Sequence, residues 1–110
     1  MNIEFHTQAG GVREWILGYI RDKLMGFHYR EKDITKARVY LGEQKGNGEN
    51  NIKVCEMELA IYGGSLYVQR KAPGYEQAVK EVLEQLTIKI EEWHKNRNEP
   101  PDEITSTVRV

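Results

Sequence analysis

The sequence predicts an α+β domain of element order β-α-β-β-β-α, a four-stranded sheet with two helices packed on one of its faces. Three observations predict it. Two long stretches carry apolar residues at helical spacing, four shorter ones carry them in alternation, and glycine or proline marks the breaks between them. Laying both helices on one sheet face buries both helical stripes, so the pattern closes on itself.

Ile3 and Phe5 alternate with Asn2, Glu4 and His6, which is the period of a half-buried strand, and Gly10 and Gly11 end it. From Val12 the period lengthens. Val12, Trp15, Ile16, Tyr19, Ile20, Leu24 and Phe27 recur every three or four residues and make one apolar stripe, the first helix. After the polar stretch 29–33, Ala37, Val39 and Leu41 alternate with Arg38 and Tyr40 as a second strand with one wet face.

The segment EQKGNGENN has no apolar residue and reads as a hairpin loop. The third strand follows over residues 52–62, with Cys55, Met57, Leu59 and Ile61 inward and Val54, Glu56, Glu58 and Ala60 outward. Gly63 and Gly64 are expected to supply the positive φ angles of a tight hairpin. The strand returns over residues 65–71 with Leu66 and Val68 inward. Pro73 and Gly74 stop it, and Tyr75, Val79, Val82, Leu83, Leu86, Ile90 and Trp93 mark a second long helix ending near Arg97. The remainder, opening on two prolines, is expected to be a tail or short extra strand, so the domain is placed at 1–97 and the tail at 98–110.

Composition narrows the function. A chain of 110 residues builds one domain with one core, so activity must sit on its surface or in a single cleft. The formal net charge is −1, so nucleic-acid binding requires cations segregated on one side. A single cysteine, a start (MNIEFHTQ) unlike a signal peptide, and no apolar run long enough for a bilayer lead to the expectation of a cytoplasmic protein without membrane contact.

Catalysis finds little support. His6, His28 and His94 fall on three different elements without ligand spacing, and Cys55 sits at an inward strand position as a small hydrophobe. Ser65 and Ser106 suggest no catalytic triad, and Glu56 with Glu58 reads as a solvated face rather than an acid–base pair. The glycines of KGNGENN lack the helix start of a phosphate cradle. No cofactor, metal or small-molecule substrate is expected.

At this point the chain resembles the ribosome hibernation promoting factors, also called ribosome-associated inhibitors or sigma-54 modulation proteins. The likeness covers residues 1 to about 97. It rests on the element order, on Arg13-Glu14-Trp15-Ile16 and Lys23-Leu24 in the first helix, on Tyr62-Gly63-Gly64 after a strand, and on the run 75–86 with Ala78 and Val79. What the resemblance implies is docking in the decoding groove of the small ribosomal subunit, where mRNA and tRNA otherwise sit. It also implies that the basic residues lie along the exposed helix faces. Where the family has further cations in the second helix, this chain has Gln85 and Ile88, with Glu91 and Glu92 close by. The dimerisation domain of the long family members is absent from this sequence.

Phosphate binding needs several cations on one surface. The candidates are Arg13, Arg21, Lys23, Arg30 and Lys32 around the first helix, and Lys80, Lys89, His94, Lys95 and Arg97 on the second. The plain alternative is that they solvate helix faces and pair with Glu14, Asp22, Glu84 and Glu91. A second surface is the open sheet face, with Arg38, Tyr40, Tyr62, Tyr67 and Gln69, where the tyrosines are expected to form cross-strand packing pairs rather than stack bases. Two functions are therefore expected in competition. One is a non-enzymatic protein that occludes the small-subunit path in hibernation or stress. The other is a divergent protein-interaction or homo-oligomeric module, suggested by Gln85, Ile88 and the glutamates, with Leu17 and Met25 as neighbours of Ile88 in a contact patch.

Overall fold

The computed structural model describes residues 1–8, 12–46 and 51–98, the last two by backbone alone. The elements are β1 (Asn2–Thr7), α1 (Glu14–Arg30), β2 (Lys36–Gln44), β3 (Ile52–Ile61), β4 (Gly64–Ala72) and α2 (Tyr75–Asn98). This is the predicted α+β order. Gly10, Gly11, the centre of the EQKGNGENN loop and the tail beyond Asn98 lie outside the described residues.

The sheet runs β1-β2-β3-β4. β1 pairs parallel with β2, Ile3 opposite Ala37 and Phe5 opposite Val39, and the other neighbours are antiparallel. A parallel neighbour demands a crossover, and α1 provides it. Register then stacks Val39, Met57 and Val68 in one row across the inner face. Ile20, Leu24, Leu59, Val82 and Leu86 close the core from both sides, all fully buried. Each such side chain contributes about 1.5–3 kcal/mol by leaving water.

Local contacts fix the helix ends. The Glu31 N–H donates to Phe27 O at 2.8 Å, and His28 Nδ1 donates to Ile34 O at 2.7 Å, tying the α1–β2 connection to its own helix. At the start of α2 the Ala78 N–H donates to Gly74 O. Among the described residues no helix is long and apolar enough to cross a membrane.

Four expectations need correcting. α1 begins at Glu14, not Val12, which stays half-buried ahead of it. Trp15 leaves the apolar stripe and is 51% exposed, because its position points along the flank of α1 rather than down onto the sheet. The hairpin closes over Tyr62 and Gly63, and Gly63 alone has positive φ, at 87°, as a type II turn requires at its third position. Val54, on the outer face, is buried after all: its cross-strand partner is Gly42, and the Tyr40 ring folds over that glycine.

Candidate nucleic-acid interface

α1 and α2 lie side by side on the sheet and run in the same direction. Their N-terminal halves meet around Trp15, Tyr19 and Val79, and their C-terminal ends meet around Glu31, Ile90 and His94. Between them runs a groove. On α1 the groove flank is Tyr19, Lys23, Gly26 and Arg30, and on α2 it is Lys80, Glu84 and Thr87, each series at the three-to-four-residue step of a helix side. The central cavity has a volume of about 650 Å³, with a smaller cavity of about 200 Å³ at the N-terminal end and one of about 370 Å³ at the other. Gly26 leaves space open there, since a Cβ added at this residue would meet nothing within 4 Å.

The structure brings together only some of the candidate cations. Lys23, Arg30 and Lys80 line the groove, and His94 stands at its far end. Arg13 is exposed at the N-cap, where its side chain makes no capping bond. Arg21 lies on the opposite flank of α1, its guanidinium 5.4 Å from the centre of the Phe5 ring. Lys32 follows α1 with its ammonium over Tyr29. By helical phase Lys89 falls on the flank of α2 turned from the groove and Lys95 on its outer crest, both exposed. The side chain of Arg97 lies outside the described residues.

Two of the three groove cations, Lys23 and Arg30, are held by rings rather than by carboxylates. Lys23 Nζ sits 5.5 Å from the centre of the Tyr19 ring and the Arg30 guanidinium 5.6 Å from that of Phe27. At exposed sites such contacts contribute about 0.5–1 kcal/mol and orient the cation without neutralising it. Among the described residues, Arg13, Arg21, Lys23, Arg30, Lys32, Lys80, Lys89 and Lys95 lie in no ion pair; of the candidates only His94 does, with Glu31 at 2.8 Å. Among the described residues the expected pairs with Glu14, Asp22, Glu84 and Glu91 do not form. Asp22 and Glu84 do border the groove, so it is mixed in sign.

Three of the five cations on the strands behave in the opposite way, Arg70 and Lys71 of β4 being the exceptions. Lys36 pairs with Glu4 at 3.2 Å, Arg38 with Glu58 at 3.3 Å, and Lys53 with Glu43. Lys36, and then His6, holds the Glu4 carboxyl below its usual range. The outer face is thus neutralised internally across β1, β2 and β3, while Lys71 on β4 stays outside any ion pair among the described residues. Its tyrosines do not pair with each other, a further correction of expectation: Tyr40 stands opposite Glu56 and Tyr67 opposite Glu58. Tyr67 donates to Glu56 at 2.7 Å, and Tyr40 donates to Gln8 at 2.7 Å. Cys55 is buried as expected, and that burial pushes its thiol up to about 12.

Ile88 is 48% exposed, but the patch expected with Leu17 and Met25 does not form. Those two residues stand about 200° around α1 from the groove-lining Tyr19 and Lys23, on the side away from α2. Sequence reasoning also missed Tyr19, Gly26 and Thr87 as groove residues. The signal was present in the series 19, 23, 26, 30 beside the buried stripe.

No family model matches the chain, and no curated protein matches it in sequence. Among solved structures it is similar to a ribosomal subunit interface protein from Coxiella burnetii, with a TM-score of 0.73 and 13% identity over 86% of this chain and 99% of that one. It is also similar to the N-terminal domain of Protein Y from Thermus thermophilus, with a TM-score of 0.69 and 17% identity over 84% of this chain and 99% of that one. The likeness is one of fold.

Proposed function

We propose that the chain is a non-enzymatic, cytoplasmic, ribosome-associated protein that docks its paired helices on small-subunit ribosomal RNA and occludes the path of mRNA and tRNA. The carrying observation is the segregation of unpaired cations. Eight helix-side cations remain outside ion pairs, while three of the five cations on the strands, Lys36, Arg38 and Lys53, are matched by carboxylates. A net charge near zero therefore leaves one side available to phosphates. The fold shared with a ribosomal subunit interface protein supports the same reading.

Lys23, Arg30 and Lys80 are the central contacts, with Arg13, Arg21, Lys32, Lys89, His94, Lys95 and Arg97 around them. Sedimentation of tagged protein with purified small subunits tests this. The chain is expected in the ribosomal fractions at low salt and to leave them as salt rises; absence at low salt overturns the proposal.

A second reading, self-association, is favoured by the exposed Ile88. It requires a dimer by light scattering that Ile88→Lys abolishes, and a monomer at high concentration removes it.

A further inference from the structure

The groove is not uniform along its length. At its N-terminal end α1 contributes Trp15, Ile16 and Tyr19, and α2 contributes Glu76, Val79 and Lys80, around a cavity of about 200 Å³. The lining is mostly aromatic and aliphatic, with one carboxylate and one ammonium at its rim. Such a space admits a single nucleobase and excludes a base pair. Trp15, with half its surface in solvent beside this cavity, is in no ring–ring or cation–π contact among the described residues.

We infer that this pocket receives one unstacked base of single-stranded RNA, stacked on Trp15 and Tyr19, with Lys80 on the adjoining phosphate. The inference rests on the reading of the groove as an RNA surface and narrows it to a loop, bulge or unpaired strand. Aromatic faces bind any base that has left its stack, because every base has a π face. Lys80 borders both this pocket and the central cavity, where Lys23 and Arg30 follow, so a backbone leaving the pocket meets further cations in sequence. Glu76 provides an acceptor for a base amino group at the rim. Asp22 and Glu84 repel phosphate in the central cavity and confine the backbone to the line of Lys80, Lys23 and Arg30. A base held within duplex RNA cannot enter.

The test uses the full chain with Trp93→Phe, which leaves Trp15 as the sole tryptophan. A short single-stranded oligouridylate, whose bases are already unstacked, is expected to quench Trp15 emission at low salt, and a blunt RNA duplex is not. Trp15→Ala is expected to weaken binding of a labelled oligouridylate about tenfold, while Trp15→Phe retains most of it. Unchanged affinity in Trp15→Ala, absent quenching, or equal quenching by the duplex overturns the inference. Small-subunit sedimentation run in parallel separates the two ideas. Quenching without sedimentation removes the ribosomal reading and leaves the pocket standing; sedimentation with no loss of oligouridylate affinity in Trp15→Ala removes the pocket alone.

Discussion

His94, near the end of α2, places its Nδ1 atom 2.8 Å from a carboxylate oxygen of Glu31, the residue that follows α1. A carboxylate only accepts, so the imidazole Nδ1–H donates, and the bond joins the two helix ends across the groove. Glu31 is mostly shielded, its side chain 13% exposed, whereas His94 is half in solvent.

Removing the donor should therefore cost stability, discounted for the exposed histidine. His94→Ala is expected to lower unfolding free energy by about 1 kcal/mol. In the Glu31→Gln background the same change should cost less. Urea denaturation of the four proteins checks this, and additive losses would show that the two residues do not interact.

Gly42 admits no side chain without displacing Tyr40. An added Cβ would fall 2.8 Å from Gln8 Oε1 and closer still to the Tyr40 hydroxyl, breaking the bond by which β2 holds the end of β1. Gly42→Ala is expected to destabilise by about 1–2 kcal/mol. The same substitution in a Tyr40→Ala background should be nearly neutral, as thermal unfolding will report.

Tyr67 gives a pH signature on the sheet face. Its hydrogen bond to Glu56, with partial burial and the charges of Glu56 and Glu58 behind it, pushes the phenol from 10.0 up to about 12. The fold favours the neutral phenol, so this contribution to stability is fully present below pH 10 and is lost as pH rises to about 12. Ultraviolet titration of the wild type against Tyr67→Phe should show the missing tyrosinate absorbance near pH 12. Glu56→Gln should move that absorbance back toward 10.

Charge reversal distinguishes the groove from its surroundings. Lys80→Glu and Lys23→Glu are each expected to reduce the salt dependence of small-subunit binding by about one unit of logarithmic slope. Arg21→Glu, whose guanidinium lies over Phe5 on the other flank, is expected to change it less. Equal slopes for all three variants would show that the groove has no special part in docking.

Most of the fold was readable because each element repeats its period often enough to reveal its buried side. Cys55 inward and Glu56 outward follow from alternation alone. Helical phase likewise places Ile20 and Leu86 against the sheet. It cannot say which flank of a helix meets its neighbour, since that depends on strand order and on where each helix lies over it. Arg21 and Lys23, two residues apart, therefore looked equivalent in sequence and end on opposite sides of α1. The burial of Val54 was hidden for a related reason: a side chain from within β2, Tyr40, bends over Gly42 to shelter it.

The shared direction of α1 and α2 has an electrostatic result. Antiparallel neighbours cancel their peptide dipoles, whereas these two add, giving the channel between them a positive mouth beside Trp15 and Glu76 and a negative one beside Glu31 and His94. An anionic polymer threading such a channel experiences unlike ends, so its two polarities are inequivalent before any base is read.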